Sequence, residues 1–282
     1  MGPDAQLVVV GSRKQETADA FGDKVGAPTR HGSLEALAND SDVDVIYIAT
    51  PHKAHKSATV TCLAAGKPVL CEKPFAINAR EADEMIAAAR GHRLFLMEAM
   101  WPRFVPLMVE VRDLLASDAI GEVRMVSADL GFRAEPGRPP RLWDPANGGG
   151  ALMDVGISVI SFAAMVLGTP TRITSMPTIG DAGFDEQSAM ILGYENGALA
   201  VLSAAIQTNT PHVATIMGSH RMIEIHHAWH KPTAYLGGCR HANTVRGQRH
   251  SHCIGSQNSS PKRAWHLPRR YPAARAKGVS ER

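Results

Sequence analysis

Short apolar runs alternate with helix-like segments over the first hundred residues, and this alternation limits the possible folds most strongly. The apolar runs lie at 7–10, 43–50, 68–74 and 93–99. Each is short for a helix, and the first two are rich in β-branched residues, which favours strands. Helix-like segments lie at 14–25, 33–40, 55–66 and 78–91. Buried strands that alternate with helices predict an α/β fold with a doubly wound parallel sheet of the Rossmann type.

The pattern changes after about residue 98 and predicts a second domain. A helix is expected at 106–117 and a strand at 123–129, and strands dominate beyond Thr171. Asn196-Gly197 joins two alternating apolar segments, which is a strong hairpin signal. A second hairpin is expected to turn near Gly218 and Ser219. We therefore predict an incomplete dinucleotide-binding domain at 1–98 and an α+β domain with a largely antiparallel open sheet at 99–235.

The composition changes again at Leu236. Residues 236–282 hold ten of the 30 Lys and Arg residues but one of the 27 Asp and Glu residues, and few large aliphatic residues. This composition predicts a basic, disordered tail behind an acidic body. An acidic body argues against nucleic-acid binding. The basic run at 261–270 leaves nucleic-acid contact by the tail open, although a solvated tail is favoured.

Composition also limits the location of the protein. The chain has 282 residues, of which 44% are hydrophobic, but no uninterrupted apolar run approaches the roughly 18 residues that span a bilayer. No membrane span or secretion signal is expected. The four cysteines form no C-x-x-C pair, so we expect neither a disulfide scaffold nor a zinc site, and a cytoplasmic location. His226, His227 and His230 are near one another without a cysteine partner, and no metal is predicted.

Two strand ends carry the candidate chemistry. Glu72-Lys73-Pro74 terminates an apolar strand, and ligands of open parallel sheets bind at the carboxyl ends of the strands. There Lys73 can hydrogen-bond a substrate hydroxyl and exchange a proton with it. The alternative is a surface lysine that happens to follow a strand. Thr50-Pro51 ends the preceding strand in the same way.

Ser12 and Arg13 directly follow the first apolar strand, where Rossmann-type folds read the adenosine ribose. An acidic residue there favours NAD, whereas Arg and Ser offer donors to a 2′-phosphate. The sequence therefore favours NADP, with NAD as the other possibility. The alternative is that Ser12 caps a helix and Arg13 is merely exposed.

Several stretches resemble the Gfo/Idh/MocA family of nicotinamide-dependent oxidoreductases, in particular its dihydrodiol and aldose dehydrogenase branch. They are GSR at 11–13, DVIYIATPHKAHKSATVTCLAAGKPVLCEKP at 44–74, MEAMWPRF at 97–104 and WDPANGGGALMDVG at 143–156. The resemblance implies hydride transfer between NADP and a hydroxyl of a sugar or cyclic diol. It also implies a homodimer formed through the sheet.

The resemblance assigns roles on the cofactor side of the site. It places Thr50 and Pro51 beside the nicotinamide, together with His55, Glu72 and Lys73. A capping or surface role is the alternative for His55. A cis bond before the proline that follows Lys73 is also implied.

On the substrate side, the resemblance places Asp154 in the cleft, where it can orient the substrate or pair with the catalytic lysine. Ser158 stands where relatives carry a Tyr or His proton donor. A serine hydroxyl has a far higher pKa and a shorter reach, so it cannot simply replace those rings. Trp101, Arg103 and Trp143 are implied to line the substrate pocket, with core packing as the alternative for the aromatic residues.

Two departures from the family pattern support a second hypothesis. The sequence contains no G-x-G-x-x-G motif, and its first strand corresponds to the second strand of the class. The basic tail stands where an apolar helical segment is expected. The alternative function is thus a truncated, catalytically inactive paralogue that acts at most as a weak binding or dimerising protein.

Overall fold

The computed structural model describes residues 5–135, 137 and 139–231, together with the backbone of a strand at Tyr235–Gly238. That strand pairs with the strand Met222–Ile225 in antiparallel register. Sheet pairing therefore continues three residues past the predicted boundary between residues 235 and 236. The rest of the predicted tail lies outside the described residues.

The first part of the chain alternates strands with helices, as the apolar pattern predicts. The strands are β1 Val9–Gly11, β2 Thr29–His31, β3 Ile46–Ile48, β4 Val69–Cys71 and β5 Leu96–Glu98. The helices are α1 Gln15–Val25, α2 Leu34–Ala38, α3 His55–Ala64 and α4 Ala79–His92. All strand pairs here are parallel, which confirms the doubly wound α/β class.

These five strands form two separate sheets, with order β1-β2 and β3-β4-β5. In the doubly wound order 3-2-1-4-5-6, strand 1 lies between strands 2 and 4. The β1-β2 sheet therefore corresponds to strands 2 and 3 of this order, and the β3-β4-β5 sheet corresponds to strands 4, 5 and 6. This agrees with the prediction that β1 corresponds to the second strand of the class. Val9 of β1 and Ile46 of β3 nevertheless belong to the same buried cluster.

Local sequence accounts for the helix that follows β4. Asn78 Oδ1 accepts a hydrogen bond from the Glu81 backbone N–H at 2.9 Å, which caps the first turn of α4 as predicted. Met85 and Ala89, four residues apart, lie on the buried side of α4. Arg93 ends the helix in the left-handed conformation, two residues beyond the predicted end.

The second part is a mixed sheet covered on one face by helices. Its helices are α5 Pro106–Ala116 and α6 Ile157–Leu167, and its strands are β6 Val123–Gly131, β7 Arg172–Ile179, β8 Asp185–Gly193, β9 Leu199–Ala205, β10 Ala214–Gly218, β11 Met222–Ile225 and β12 Tyr235–Gly238. The strand order is β12-β11-β10-β6-β9-β8-β7. Only the β6–β9 pair is parallel among these strands, so the largely antiparallel sheet is confirmed.

Both predicted hairpins are present. Gly197 has φ +82°, and Asn196 Oδ1 accepts a hydrogen bond from the Ala198 backbone N–H between β8 and β9. The β10–β11 connection follows Gly218. These turns place the apolar residues of β6 and β9 to β11 over α6. There the rings of Phe162 and Trp229 pack at a tilt, with their centroids 5.1 Å apart in the core.

One helical stretch, Pro145–Leu167, is long and apolar enough to cross a membrane by length and composition alone. The sequence expectation considered only uninterrupted apolar runs, and Asp154 interrupts this one. Half of its most apolar window is buried inside the protein, as in the core helix of a globular domain. Within this stretch Leu152–Gly156 is a π-helical turn, a feature frequent at functional sites.

Candidate active site

Lys73 lies just beyond the carboxyl end of β4, and its side chain crosses to the second part of the chain. Its Nζ donates a hydrogen bond to the Asp154 carbonyl oxygen at 2.5 Å and lies 3.8 Å from Asp154 Oδ1. The Lys73-Pro74 peptide bond is cis, as the resemblance implies. The structure therefore brings together the two residues that the sequence proposes as partners.

The Asp154 carboxylate lies between two cations. Its side chain is 6% exposed, and Arg141 Nη1 contacts Oδ1 at 2.5 Å. Since a buried carboxylate needs charged or hydrogen-bonding partners, Lys73 and Arg141 together stabilise it. Arg141 lies in the 3₁₀ turn Pro140–Trp143 of the loop that follows β6. It was not predicted, because nothing in its local sequence places it opposite Asp154.

The run Gly148-Gly149-Gly150 positions the π-helical turn that carries Asp154. Gly150 has φ +113°, and a Cβ there would lie 2.5 Å from Asp185 Oδ1. The Asp185 carboxylate accepts the Leu152 backbone N–H at 2.7 Å. The glycines thus permit a close approach between two segments.

Glu72 supports the end of β4 through two hydrogen bonds. Its Oε2 accepts the Lys73 backbone N–H at 2.9 Å, and its Oε1 accepts a hydrogen bond from the Tyr47 hydroxyl. Burial, followed by the hydrogen bond to Glu72, raises the pKa of Tyr47. Glu72 therefore fixes the backbone from which Lys73 extends.

His55 lies in a different position from the one expected for a cofactor contact. Its ring is fully buried; Nδ1 lies 2.8 Å from the Pro74 carbonyl oxygen and Nε2 lies 2.9 Å from that of Thr50. The ring thus joins the loops after β3 and β4, and no surface remains for a ligand. Thr50 and Pro51 themselves are exposed at the end of β3, open to a bound molecule.

Two further buried groups at these strand ends were not predicted. His52 Nδ1 lies 3.1 Å from the Gly148 carbonyl oxygen, and burial lowers the pKa of His52. Glu98 ends β5, and its Oε1 accepts the Phe75 backbone N–H at 3.0 Å. Burial raises the pKa of Glu98. The strand-end rule that singles out Lys73 applies equally to Glu98 and could have found it.

Ser12 and Arg13 lie beyond the end of β1. Helix α1 begins at Gln15 with Lys14 at its N-cap, and no side chain caps it. The helix-cap alternative for Ser12 is therefore excluded. Arg13 is exposed, and its side chain makes no contact with another described residue.

The four residues predicted on the substrate side lie in different surroundings. Ser158 is nearly buried one turn after Asp154, and Trp101 is 39% exposed beyond β5. Arg103 donates to Ser161 Oγ and to the Ser161 carbonyl oxygen, both at 3.0 Å, which attaches it to α6; its place in a substrate pocket stays a prediction. Trp143 packs edge to face on Phe184 at 6.1 Å, which matches its core-packing alternative.

Two groups of residues could hold the two ends of a bound dinucleotide. Arg13 offers a free guanidinium for the adenosine end, and Thr50, Pro51 and Lys73 border the carboxyl ends of β3 and β4 for the nicotinamide end. Among the described residues, no glycine-rich turn connects a strand to a helix in the G-x-G-x-x-G pattern that cradles a pyrophosphate. The chemistry that the site offers is proton exchange by Lys73 beside a substrate oxygen.

Comparison with protein families gives two matches that together include most of the chain. Residues 1–100 match a model described as an oxidoreductase family with an NAD-binding Rossmann fold, GFO_IDH_MocA. Residues 108–226 match the GFO/IDH/MocA C-terminal domain.

Individual relatives agree with these matches. Trans-1,2-dihydrobenzene-1,2-diol dehydrogenase from Mus musculus is 39% identical over 237 residues, which cover 83% of this chain and 71% of that protein. The Homo sapiens protein of that name is 38% identical over 222 residues, 78% of this chain and 66% of its own.

Solved structures of oxidoreductases also match the fold of this chain. Aldose-aldose oxidoreductase from Caulobacter crescentus, complexed with glycerol, matches with TM-score 0.76 at 27% identity and covers 83% of this chain and 73% of its own. A 3-ketoreductase from Actinomadura kijaniata, complexed with NADP and TDP-benzene, matches with TM-score 0.77 at 25% identity over 85% and 75%. The chain belongs to the GFO/IDH/MocA family of oxidoreductases with an NAD-binding Rossmann fold.

Proposed function

We propose that this protein transfers a hydride between NADP and a hydroxyl or carbonyl group of a sugar or cyclic diol. The observation that carries the proposal is the placement of Lys73 at the carboxyl end of β4, bonded to Asp154 across the cleft. The relatives named as diol dehydrogenases and aldose oxidoreductases support this substrate class.

The residues of the cleft divide the chemistry between them. Bound NADP supplies the hydride acceptor or donor. The Lys73 ammonium has three donors, and only one is used by the Asp154 carbonyl oxygen, so others remain for a substrate oxygen. Lys73 stabilises charge on that oxygen and exchanges its proton. Asp154, fixed by Arg141, holds the ammonium in place.

We expect Arg13→Ala to remove most of the preference for NADPH over NADH. A guanidinium that pairs with a 2′-phosphate contributes about 1.5 to 3 kcal/mol, which corresponds to roughly a tenfold or larger change in affinity. Dissociation constants for both nucleotides are measured by fluorescence titration. Lys14→Ala is the matched control, because Lys14 is the adjacent exposed cation. Equal affinities of the unsubstituted protein for NADPH and NADH would contradict the proposed NADP preference.

The same titration separates the enzyme from its alternative, a catalytically inactive paralogue. The observation that favours the alternative is the separation of β1-β2 from β3-β4-β5, at the position where this class holds the pyrophosphate. Saturable NADPH binding with turnover of a diol or aldose supports the enzyme. Folded protein that binds no NADPH supports the inactive paralogue.

A homodimer formed through the open sheet is part of the proposal. The face of β7 to β9 turned away from α6 is apolar and exposed: Met176 is 80% exposed and Ile191 is 49% exposed. Exposed patches of this kind mark protein interfaces. Met176→Asp is expected to shift the protein to monomers in analytical ultracentrifugation. Phe95→Asp, which changes an exposed residue outside this sheet, is the control; a monomeric unsubstituted protein would refute the dimer.

The remaining partner predictions are retained as proposals. The substrate is a small polyol or sugar, and a nucleic acid or a membrane is not required. Cys62 and Cys71 are buried free thiols, and burial raises the pKa of Cys62 to about 11. Reduced, protonated thiols are consistent with the proposed cytoplasmic location.

A further inference from the structure

A cluster of rings lies beside the cleft, outside the residues used so far. His230 makes edge-to-face contacts with Trp101 at 6.3 Å, with His212 at 5.7 Å and with Trp229 at 6.1 Å. Trp101 follows β5, whose end is part of the strand-end cleft. His230 therefore reaches from the sheet of the second domain toward the edge where ligands of the first domain bind.

The backbone of this cluster is held firmly. Trp229 is 1% exposed, and its Nε1 donates to the Asp129 carbonyl oxygen at 2.7 Å. The Asp129 carboxylate accepts the His212 backbone N–H at 2.7 Å. His230 is thus attached to a buried anchor, so its ring is positioned by the core of the sheet.

His230 is the histidine of this cluster whose nitrogens remain free. His212 Nε2 is 2.5 Å from the Gly131 carbonyl oxygen, and His227 Nδ1 is 3.1 Å from that of Pro211. In contrast, His230 Nδ1 is buried without a partner among the described residues. Its Nε2 also makes no hydrogen bond within the described part of the chain, but it is not among the buried atoms, so it remains open to a ligand.

The ring is uncharged at neutral pH. Burial, together with the positive charges of His212, Lys231, His227 and Lys73, lowers the pKa of His230 to about 4. A metal does not explain the cluster, because no group of His, Cys, Asp and Glu side chains in the described residues could hold one.

We propose that His230 determines substrate specificity by hydrogen-bonding, through Nε2, the second hydroxyl of a vicinal diol whose first hydroxyl is bound by Lys73. A hydroxyl both donates and accepts, so it pairs with Nε2 in either neutral tautomer. The Lys231 ammonium lies over the Trp101 ring at 5.9 Å from its centroid, and the part of Trp101 that stays exposed next to His230 suits the apolar ring of a cyclic substrate. The inference rests on the proposed function and adds to it a residue for the choice of substrate.

Two probes that differ by one hydroxyl test this role: trans-1,2-cyclohexanediol and cyclohexanol. Tryptophan fluorescence measures their dissociation constants in the full chain with NADP⁺ present. The unsubstituted protein is expected to prefer the diol. His230→Phe removes the hydrogen bond but keeps a ring, and should reduce that preference by roughly 2- to 10-fold, the value of one hydrogen bond.

Two further variants separate recognition from structure. His230→Gln keeps a nitrogen near the position of Nε2 and should restore part of the diol preference. His227→Phe changes an exposed ring of the same cluster and should leave the preference unchanged. A merely structural role of His230 would weaken binding of both alcohols equally and lower the melting temperature.

The outcomes distinguish the two proposals. If the unsubstituted protein prefers the diol and His230→Phe retains the full preference, His230 is not the specificity residue, although the proposed function stands. If the unsubstituted protein binds both alcohols with equal affinity, the inference is overturned. If it binds neither alcohol, the inference is also overturned, whereas the proposed function fails only if no diol or aldose of the panel is turned over.

Discussion

Replacing Lys73 with methionine is expected to lower turnover by about 10²- to 10⁴-fold, the usual contribution of a positioned acid-base group. Methionine preserves much of the length of the side chain but has no proton to exchange and no charge to offer a substrate oxygen. Turnover is measured as NADPH formation with a panel of cyclic diols and aldoses. Fluorescence titration with NADPH is expected to show affinity largely intact, because the loss concerns the reacting oxygen.

Lys56→Met provides the matched control. The Lys56 ammonium is engaged in an ion pair with Glu84 at 2.6 Å between α3 and α4, which separates its role from that of Lys73. Its replacement should leave turnover unchanged. Equal turnover in Lys73→Met and the unsubstituted protein would show that the Glu-Lys-Pro sequence reflects ancestry, and that another group exchanges the proton.

Asp154 complicates the interpretation of Lys73→Met and defines a second measurement. Without the lysine, the buried carboxylate retains only Arg141 as a cationic partner. Leaving a buried charge less compensated costs stability. Melting temperature is therefore compared between Lys73→Met and Lys73→Arg, since arginine keeps the charge. Loss of turnover in both variants with normal melting of Lys73→Arg would assign the effect to proton exchange.

The parts of the fold that were predicted depend on local patterns. The alternation of apolar strands and helices, the cap at Asn78 and the turn at Asn196-Gly197 each arise from a few neighbouring residues. The strand-end rule also located Lys73 without any knowledge of its partners. Signals of this kind depend on neighbouring residues only, so they can be read from the sequence without knowledge of tertiary contacts.

The parts that were missed depend on long-range contacts or on weak local signals. β2 consists of Thr29, Arg30 and His31, and an edge strand of polar residues has no apolar periodicity to identify it. Arg141 acquires its role only when the fold brings its loop against Asp154. His230 is 157 residues from Lys73 in sequence, and no spacing rule connects them.

The substrate-side predictions show the same limit. Trp101, Arg103 and Trp143 have similar sequence contexts, yet one is exposed beside His230, one bonds to Ser161 and one packs on Phe184. Which side of a chain faces a cleft is decided by tertiary packing. The resemblance therefore identified candidates without separating lining residues from anchors.

Ser158→Tyr is expected to raise turnover with the same diol and aldose panel. Ser158 lies four residues after Asp154, so the two side chains project from the same face of the helical stretch. A phenol there extends toward the substrate and has a pKa far nearer neutrality than a serine hydroxyl. If proton exchange currently depends on Lys73 without a ring group at position 158, adding one should increase turnover by about 10²-fold or more.

Ser158→Phe is the control that isolates the hydroxyl. Ser158 is 8% exposed, so either ring must displace neighbouring atoms, and both variants should lose stability to a similar extent. Melting temperatures measure that shared cost. An increase in turnover confined to Tyr would assign the gain to the phenol proton. If Tyr and Phe lower turnover equally, a phenol at position 158 adds nothing to proton exchange. The proton route then runs through Lys73 and water, because the serine hydroxyl is too weak an acid to replace the ring.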